Sequence, residues 1–187
     1  MIDVLTPRLR LRPWTEDDAQ FVLELHQNPD LVRFIPSSVL HDLAGARERI
    51  ARFGGYAQDP ALGFPCVQLR DGPPVGLVMV KPIPPSGRGP DAPDEPGPGQ
   101  RWDIEIGWRQ HAAHTGHGYV TEAAGAVLAN CFAQGLTRVV AVTHPDNAAS
   151  QRVAERIGMR RVGLTRDYYD TECVLFEALA PGSPPAA

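Results

Sequence analysis

Residues 102–143, WDIEIGWRQHAAHTGHGYVTEAAGAVLANCFAQGLTRVVAVT, decide the fold. From Trp102 to Trp108 the pattern alternates. Ile104, Ile106 and Trp108 share one face, and Asp103, Glu105 and Gly107 the other, which is the period of a strand. Beyond Gly118 the chain is rich in alanine. Val120, Ala124, Val127, Leu128 and Cys131 recur there at helical spacing until Gly135 stops them. Thr137–Thr143 is a strongly apolar strand, expected in the centre of a sheet. A strand, a helix and a strand in succession imply a parallel crossover.

Working outward, Leu9, Leu11 and Pro13 alternate with Arg8, Arg10 and Arg12 as a first strand. Thr15 with Asp18 caps a helix carrying Phe21, Val22 and Leu25, with Leu31 a further candidate. A second helix covers Leu43–Phe53 and ends at Gly54-Gly55. Phe64–Leu69 and Val75–Val80 flank an R-D-G-P-P turn and predict a hairpin. Residues 82–100 are dense in proline and glycine and predict an extended or disordered loop. Downstream, Asn147 caps a helix that ends at Ile157-Gly158. Met159–Val162 and Cys173–Leu179 are the last strands. Consecutive strands before residue 110 pair antiparallel. The expectation is one α/β domain over 1–180, with a mixed, mostly antiparallel twisted sheet, a central parallel β-α-β crossover and flanking helices. Residues 181–187 are expected to form a disordered tail.

The chain has 187 residues and a formal charge of −4, with no basic tract of the kind that tracks nucleic acid. Of its 18 basic residues only Lys81 is lysine, and no glycine-rich loop holds it, so a Walker-type nucleotide site is excluded. The opening MIDVLTPRLRLRPW contains no signal-like apolar run, and no stretch reaches membrane-spanning length. Three separated cysteines do not make a disulfide framework. A reduced cytoplasmic setting is expected, with Cys131 a buried apolar residue.

Residues 111–119, HAAHTGHGY, admit two readings. Histidines at 111, 114 and 117 suggest a metal. Their spacing of three, the alanines between them and the lack of nearby thiolates argue against it, and no metal is expected. Glycines at 116 and 118 before a helix suggest a phosphate loop, because first-turn N–H groups lack intrahelical partners and the helix dipole is positive there. Position 121 is threonine, so the third glycine of a dinucleotide fingerprint is missing. A G-x-G alone is as compatible with a plain turn.

Four segments in order change that balance: TPRLRLRPWTEDDA, EIGW before the loop, GHGYVTEA within it, and HPDNAASQRVAERIGMRRVG after the next strand. Together, over about residues 5–178, they resemble the GNAT superfamily of acyl-CoA-dependent N-acetyltransferases, most of all its ribosomal-protein (Rim-type) branch. The resemblance implies the acyl-CoA N-acyltransferase fold, acetyl-CoA as co-substrate, and a primary amine as acceptor, on a protein N-terminus or a small molecule. It makes HAAHTGHGY a coenzyme A pyrophosphate loop, with His114, Thr115, Gly116, His117, Gly118 and Tyr119 supplying the backbone. The family loop begins with Gln or Arg, where this chain has Ala113.

The same resemblance assigns the remaining site residues. Glu105, mid-strand before the loop, stands where several members carry a catalytic base; a structural carboxylate is the plainer reading. Asp103, His144 and Asp170 are weaker candidates. Gly107 admits either a β-bulge that splays the strand or a bulky neighbour, and a backbone N–H near Trp108 would polarise the thioester. Asn147 and Ser150 match an N-x-x-S motif, Asn147 contacting pantetheine and the Ser150 hydroxyl protonating the thiolate. The tyrosine acid of many relatives is replaced by Ala154. Phe34-Ile35-Pro36 and Asp167–Glu172, with Asp167, Tyr169 and Asp170, are candidates for acceptor binding, by charge or by cation–π contact. Two other classes compete: a silent acyl-CoA-binding sensor, and a dinucleotide-dependent oxidoreductase. Neither a membrane nor a nucleic acid is an expected partner, and the chain is expected to be a monomer or a homodimer.

Overall fold

In the computed structural model, residues 2–88, 96 and 101–182 are described. Eight strands form one sheet: β1 (Val4–Leu5), β2 (Leu9–Arg12), β3 (Cys66–Leu69), β4 (Pro74–Ile83), β5 (Asp103–Gln110), β6 (Arg138–Thr143), β7 (Arg160–Thr165) and β8 (Cys173–Leu179). Their order is β1-β2-β3-β4-β5-β6-β8-β7, and every neighbouring pair is antiparallel except β5–β6. The helices are α1 (Ala19–Gln27), α2 (Pro29–Phe34), α3 (Leu43–Phe53), α4 (Tyr119–Ala133) and α5 (Ala148–Arg156). This is the mixed α/β sheet with one parallel crossover that the sequence predicts. Among the described residues no helix is long and apolar enough to cross a membrane.

Period-two alternation assigns the two faces. Ile104, Ile106 and Trp108 pack with Ala123, Ala124, Val127 and Cys131 of α4. On the opposite face, Leu77 of β4 packs with Leu25 of α1 and Phe53 of α3. Thr15 and Asp18 form the expected capping box, but on a 3-10 turn, Glu16–Asp18, that leads into α1: the Asp18 carboxylate accepts from the Thr15 N–H at 2.8 Å and pairs with Arg12. Asp42 caps α3 by accepting from the Gly45 N–H. All three cysteines are free and buried, and burial pushes the Cys131 thiol up to about 12.

Several elements differ from the sequence reading. β1 is two residues long, too short for any periodicity to show. Leu31 is not on α1: Asn28 leaves the helical region and Pro29 opens α2, because the residue before a proline avoids the α conformation. Pro13 lies outside β2, and β7 extends to Thr165. Pro82 and Ile83, expected in a loop, continue β4 opposite Ile104 and Asp103. Residues 84–88 are tied down too, the Ser86 N–H donating to the Asp167 carbonyl at 2.7 Å. Of the predicted loop and tail, 89–95, 97–100 and 183–187 lie outside the described residues.

The β4–β5 register runs unbroken from Gly76↔Gln110 to Ile83↔Asp103. There is therefore no bulge toward β4 at Gly107. A Cβ there would sit 2.5 Å from the Met79 Cε, so the glycine admits that bulky neighbour instead. Gly76 is tighter still, because its Cβ would meet the Arg109 carbonyl oxygen at 2.3 Å. Backbone cannot step aside as a side-chain tip does. Gly76→Ala is expected to destabilise by about 2 kcal/mol and lower Tm by about 5 °C, read by calorimetry against wild type.

Candidate functional site

The parallel pair is where the sheet comes apart. β5 and β6 share a single register pair, Glu105↔Val140, and beyond it their pairing forks open, with no further pair toward their C-terminal ends. From Ile106 to Gln110 the backbone of β5 has no strand partner on that side. The fork opens toward the 111–118 loop at the end of β5 and toward the start of α5 beyond β6.

At the apex of the fork stands Glu105, only 3% exposed. Lys81, its cross-strand partner, brings Nζ to 3.4 Å from Oε2. The Tyr169 hydroxyl donates to the same oxygen at 2.5 Å, and Lys81 Nζ donates to that hydroxyl at 3.0 Å. Burial raises the pKa of Glu105 above its ordinary 4.5, while Lys81 and Tyr169 pull the other way. Burial and the Glu105 charge raise Tyr169, so it stays a donor. The tyrosine reaches in from a strained turn: Tyr169 and Asp170 have φ of 58° and 52°, left-handed for non-glycine residues.

Asp103 belongs to a different system. It accepts from Tyr168 and pairs with Arg138, which also binds Glu177, itself paired with Arg160. Each of its oxygens thus has a partner within that network. Asp167 and Asp170, both exposed, each accept a hydrogen bond. Asp167 accepts from the Thr165 hydroxyl at 2.7 Å, and Asp170 from the Gly87 N–H at 2.7 Å. They hold the turn, and Tyr169 is turned onto Glu105. Phe34 sits 5.4 Å from the His144 ring, bringing α2 to the end of β6.

The loop has the geometry of an anion cradle. Gly116 and Gly118 have φ of 83° and 74°, a region that costs other residues about 1–2 kcal/mol. The first bond of α4 runs from the Glu122 N–H to the Gly118 carbonyl, leaving the N–H groups of Tyr119 to Thr121 without intrahelical partners. His117 stacks on Tyr119 at 5.3 Å. Glu122 clamps this end: Thr6 donates to it at 2.6 Å and Arg8 pairs with it at 2.6 Å. Burial pushes Glu122 up, but the bonds from Thr6 and Arg8 outweigh it and hold the carboxyl below its ordinary value. Arg8 also donates to the His117 carbonyl at 3.0 Å, placing a guanidinium beside a loop that lacks one at Ala113.

On the other arm of the fork, Asn147 caps α5 by accepting from the Ser150 N–H at 3.1 Å, which leaves its amide donors uncommitted. The Ser150 hydroxyl is half-buried. Thr143 Oγ1, at the end of β6, is the one buried side-chain polar atom among the described residues with no hydrogen-bond partner. Such an atom costs about 1–3 kcal/mol unless something reaches it. Diverging strands, glycine loop, free helix-end N–H groups and an orphaned hydroxyl together fit an extended ligand with amides at one end and an anion at the other. Among the described residues no group of three His, Cys, Asp or Glu could hold a metal ion.

Residues 8–160 match the family model described as acetyltransferase (GNAT) domain. The chain belongs to the GNAT acetyltransferase family. Among similar curated proteins is the uncharacterized N-acetyltransferase YnaD of Bacillus subtilis, 29% identical over 163 residues, covering 86% of this chain and 84% of that one. Among solved structures, a GNAT-family acetyltransferase from Bacillus anthracis matches with a TM-score of 0.74 at 24% identity, covering 96% and 99% of the two chains. Mycobacterium smegmatis RimJ in complex with CoA-disulfide matches with a TM-score of 0.72 at 20% identity, covering 95% and 85%. Rim-type acetyltransferases are thus among the structural neighbours of this GNAT enzyme.

Inspection of the sequence alone missed three parts of the site: Lys81, Thr143 and the Arg8–Glu122 clamp. Lys81 stood out as the sole lysine, yet its meeting with Glu105 depends on a strand register that composition cannot supply. A cavity of about 140 Å³ between Trp14, Phe53, Tyr56 and Leu62 touches neither Glu105 nor the glycine loop.

Proposed function

We propose that this GNAT enzyme moves an acetyl group from acetyl-CoA to a primary amine by direct attack on the thioester. What carries the reading is Glu105: a buried carboxylate at the apex of the β5–β6 fork, on the same strand that leads into the anion loop. Acetyl-CoA supplies the activated acyl group. Gly116 and Gly118 let the backbone of residues 114–119 close on a pyrophosphate, and Arg8 adds positive charge beside it. The free edge of β5 near Trp108 offers N–H donors to the thioester carbonyl, and Thr143 and Asn147 offer donors along the pantetheine arm.

Alkyl ammonium ions have a pKa near 10.4, so about three units separate them from neutrality at pH 7. Glu105 takes the amine proton as the C–N bond forms, with Tyr169 and Lys81 fixing the carboxylate. The C–S bond breaks, and the Ser150 hydroxyl would pass a proton to the departing thiolate while taking one up from solvent. A thiol pKa near 8.5 makes that group a tolerable leaving group without the tyrosine acid replaced by Ala154.

Titration calorimetry with acetyl-CoA is expected to give saturable, roughly 1:1 binding that NADH does not reproduce. A thiol-release assay over primary amines is then expected to show turnover. Failure of acetyl-CoA to bind would overturn the reading. Binding without turnover on any amine would leave a sensor.

A further inference from the structure

On the face that carries Glu105, the next-but-one residue after Gly107 is Arg109, opposite Leu77. Its guanidinium is held by two neutral partners. Ser38 Oγ accepts from it at 3.0 Å, and so does His26 Nε2. His26 is fully buried and donates Nδ1–H to the Val22 carbonyl at 2.7 Å, which fixes the tautomer with Nε2 as acceptor. Burial and the Arg109 charge lower its pKa to about 4, so it brings no charge. Among the described residues no carboxylate forms an ion pair with Arg109, and none does so with the half-buried Arg49 on α3. Burial and then Arg49 lower Arg109 to about 10, while Glu105 and Tyr169 oppose this through space. Glu105 already has Lys81 at 3.4 Å, so that anion is compensated locally.

Buried cations are ordinarily paired, and an arginine fork presents parallel donors suited to a carboxylate or phosphate. Arg109 and Glu105 lie on one strand face, their Cα atoms roughly 13 Å apart at strand rise. Half-exposed Gly107 and Met79 form the strip between them. Resting on the acetyl-transfer reading above, we infer that Arg109, assisted by Arg49, is a subsite for an oxyanion on the acceptor: the substrate is an amine that also carries a carboxylate or a phosphate. Its amine lies toward Glu105 and its anion toward Arg109.

The test is titration calorimetry with CoA present, using 6-aminohexanoate against 6-aminohexanamide, and O-phosphoethanolamine against ethanolamine. At least one anionic member is expected to bind about tenfold or more tightly than its neutral partner, and which pair responds identifies carboxylate or phosphate. Arg109→Met is expected to remove that preference and leave the neutral partner unchanged. Arg49→Met, on a helix surface, is expected to reduce it severalfold and stands in should Arg109→Met not fold. In turnover, the same variants are expected to raise KM for the anionic amine with kcat retained. Equal binding of anionic and neutral members, or a preference that survives in Arg49→Met and Arg109→Met, would overturn the subsite. An anion preference with no acetyl transfer would instead overturn the reaction and leave the subsite standing.

Discussion

Glu105→Gln is expected to lower kcat/KM for amine acetylation by about 10²–10⁴-fold while acetyl-CoA affinity stays within about twofold. Glutamine keeps the shape and can still accept from Tyr169, so the loss isolates the proton transfer. A merely structural carboxylate would show the opposite split, a lower Tm with activity retained. The pH profile adds a second readout. Glu105 must be ionised to accept a proton, and burial raises its folded pKa above 4.5, so the acid limb lies above the ordinary carboxylate range. Lys81 favours the ionised form, so Lys81→Met is expected to move that limb to higher pH. For stability the sign is reversed: with the folded pKa raised, the contribution is present below the unfolded value and lost as pH rises through the folded one.

Gly118→Val is expected to weaken acetyl-CoA binding by about a hundredfold, read by titration calorimetry. With φ at 74°, Gly118 occupies a region that a β-branched residue enters only with strain. An added Cβ meets only the Arg8 guanidinium, at 3.8 Å, so packing is not the obstacle. The loop must instead rotate and withdraw the N–H groups at the start of α4. Gly125→Ala is the control. It lies within α4, where a Cβ would be 3.7 Å from Ile157, an ordinary contact, and alanine favours the helix. Unchanged affinity in Gly118→Val would remove the loop from the cofactor site.

Much of this architecture was legible because local chemistry and tertiary role coincide. Asn147 caps a helix, Gly54 ends one, and the alternation in WDIEIGW separates the α4 face from the Glu105 face. What stayed hidden depends on register. Nothing local says that Lys81 lies opposite Glu105, or that Met79 lies over Gly107. Of the two readings of Gly107, β4 keeps its register there and Met79 takes up the space of the missing Cβ, while on the β6 side the pairing simply ends. Asp167 and Asp170 read as candidates for holding an ammonium, and nothing local says that Asp170 also accepts from Gly87, 83 residues away. Arg109 gave no signal, since an arginine at the end of a strand is ordinary until its partners prove neutral. Pro82 and Ile83 were hidden by the composition around them.

The fork between β5 and β6 also bears on how this chain survives in a crowded solution. Open strand borders invite other chains to add to them, and proteins usually place charges or prolines there, or cover the border. Here the borders of β5 and β6 beyond the Glu105–Val140 pair are neighbours inside the sheet, and their pairing leaves a gap. Each shields the other from a passing strand, so the molecule keeps unspent backbone hydrogen-bonding capacity without becoming a template for aggregation. A slender ligand lying in that gap would behave as a removable ninth strand, and the sheet would be continuous only while it is held.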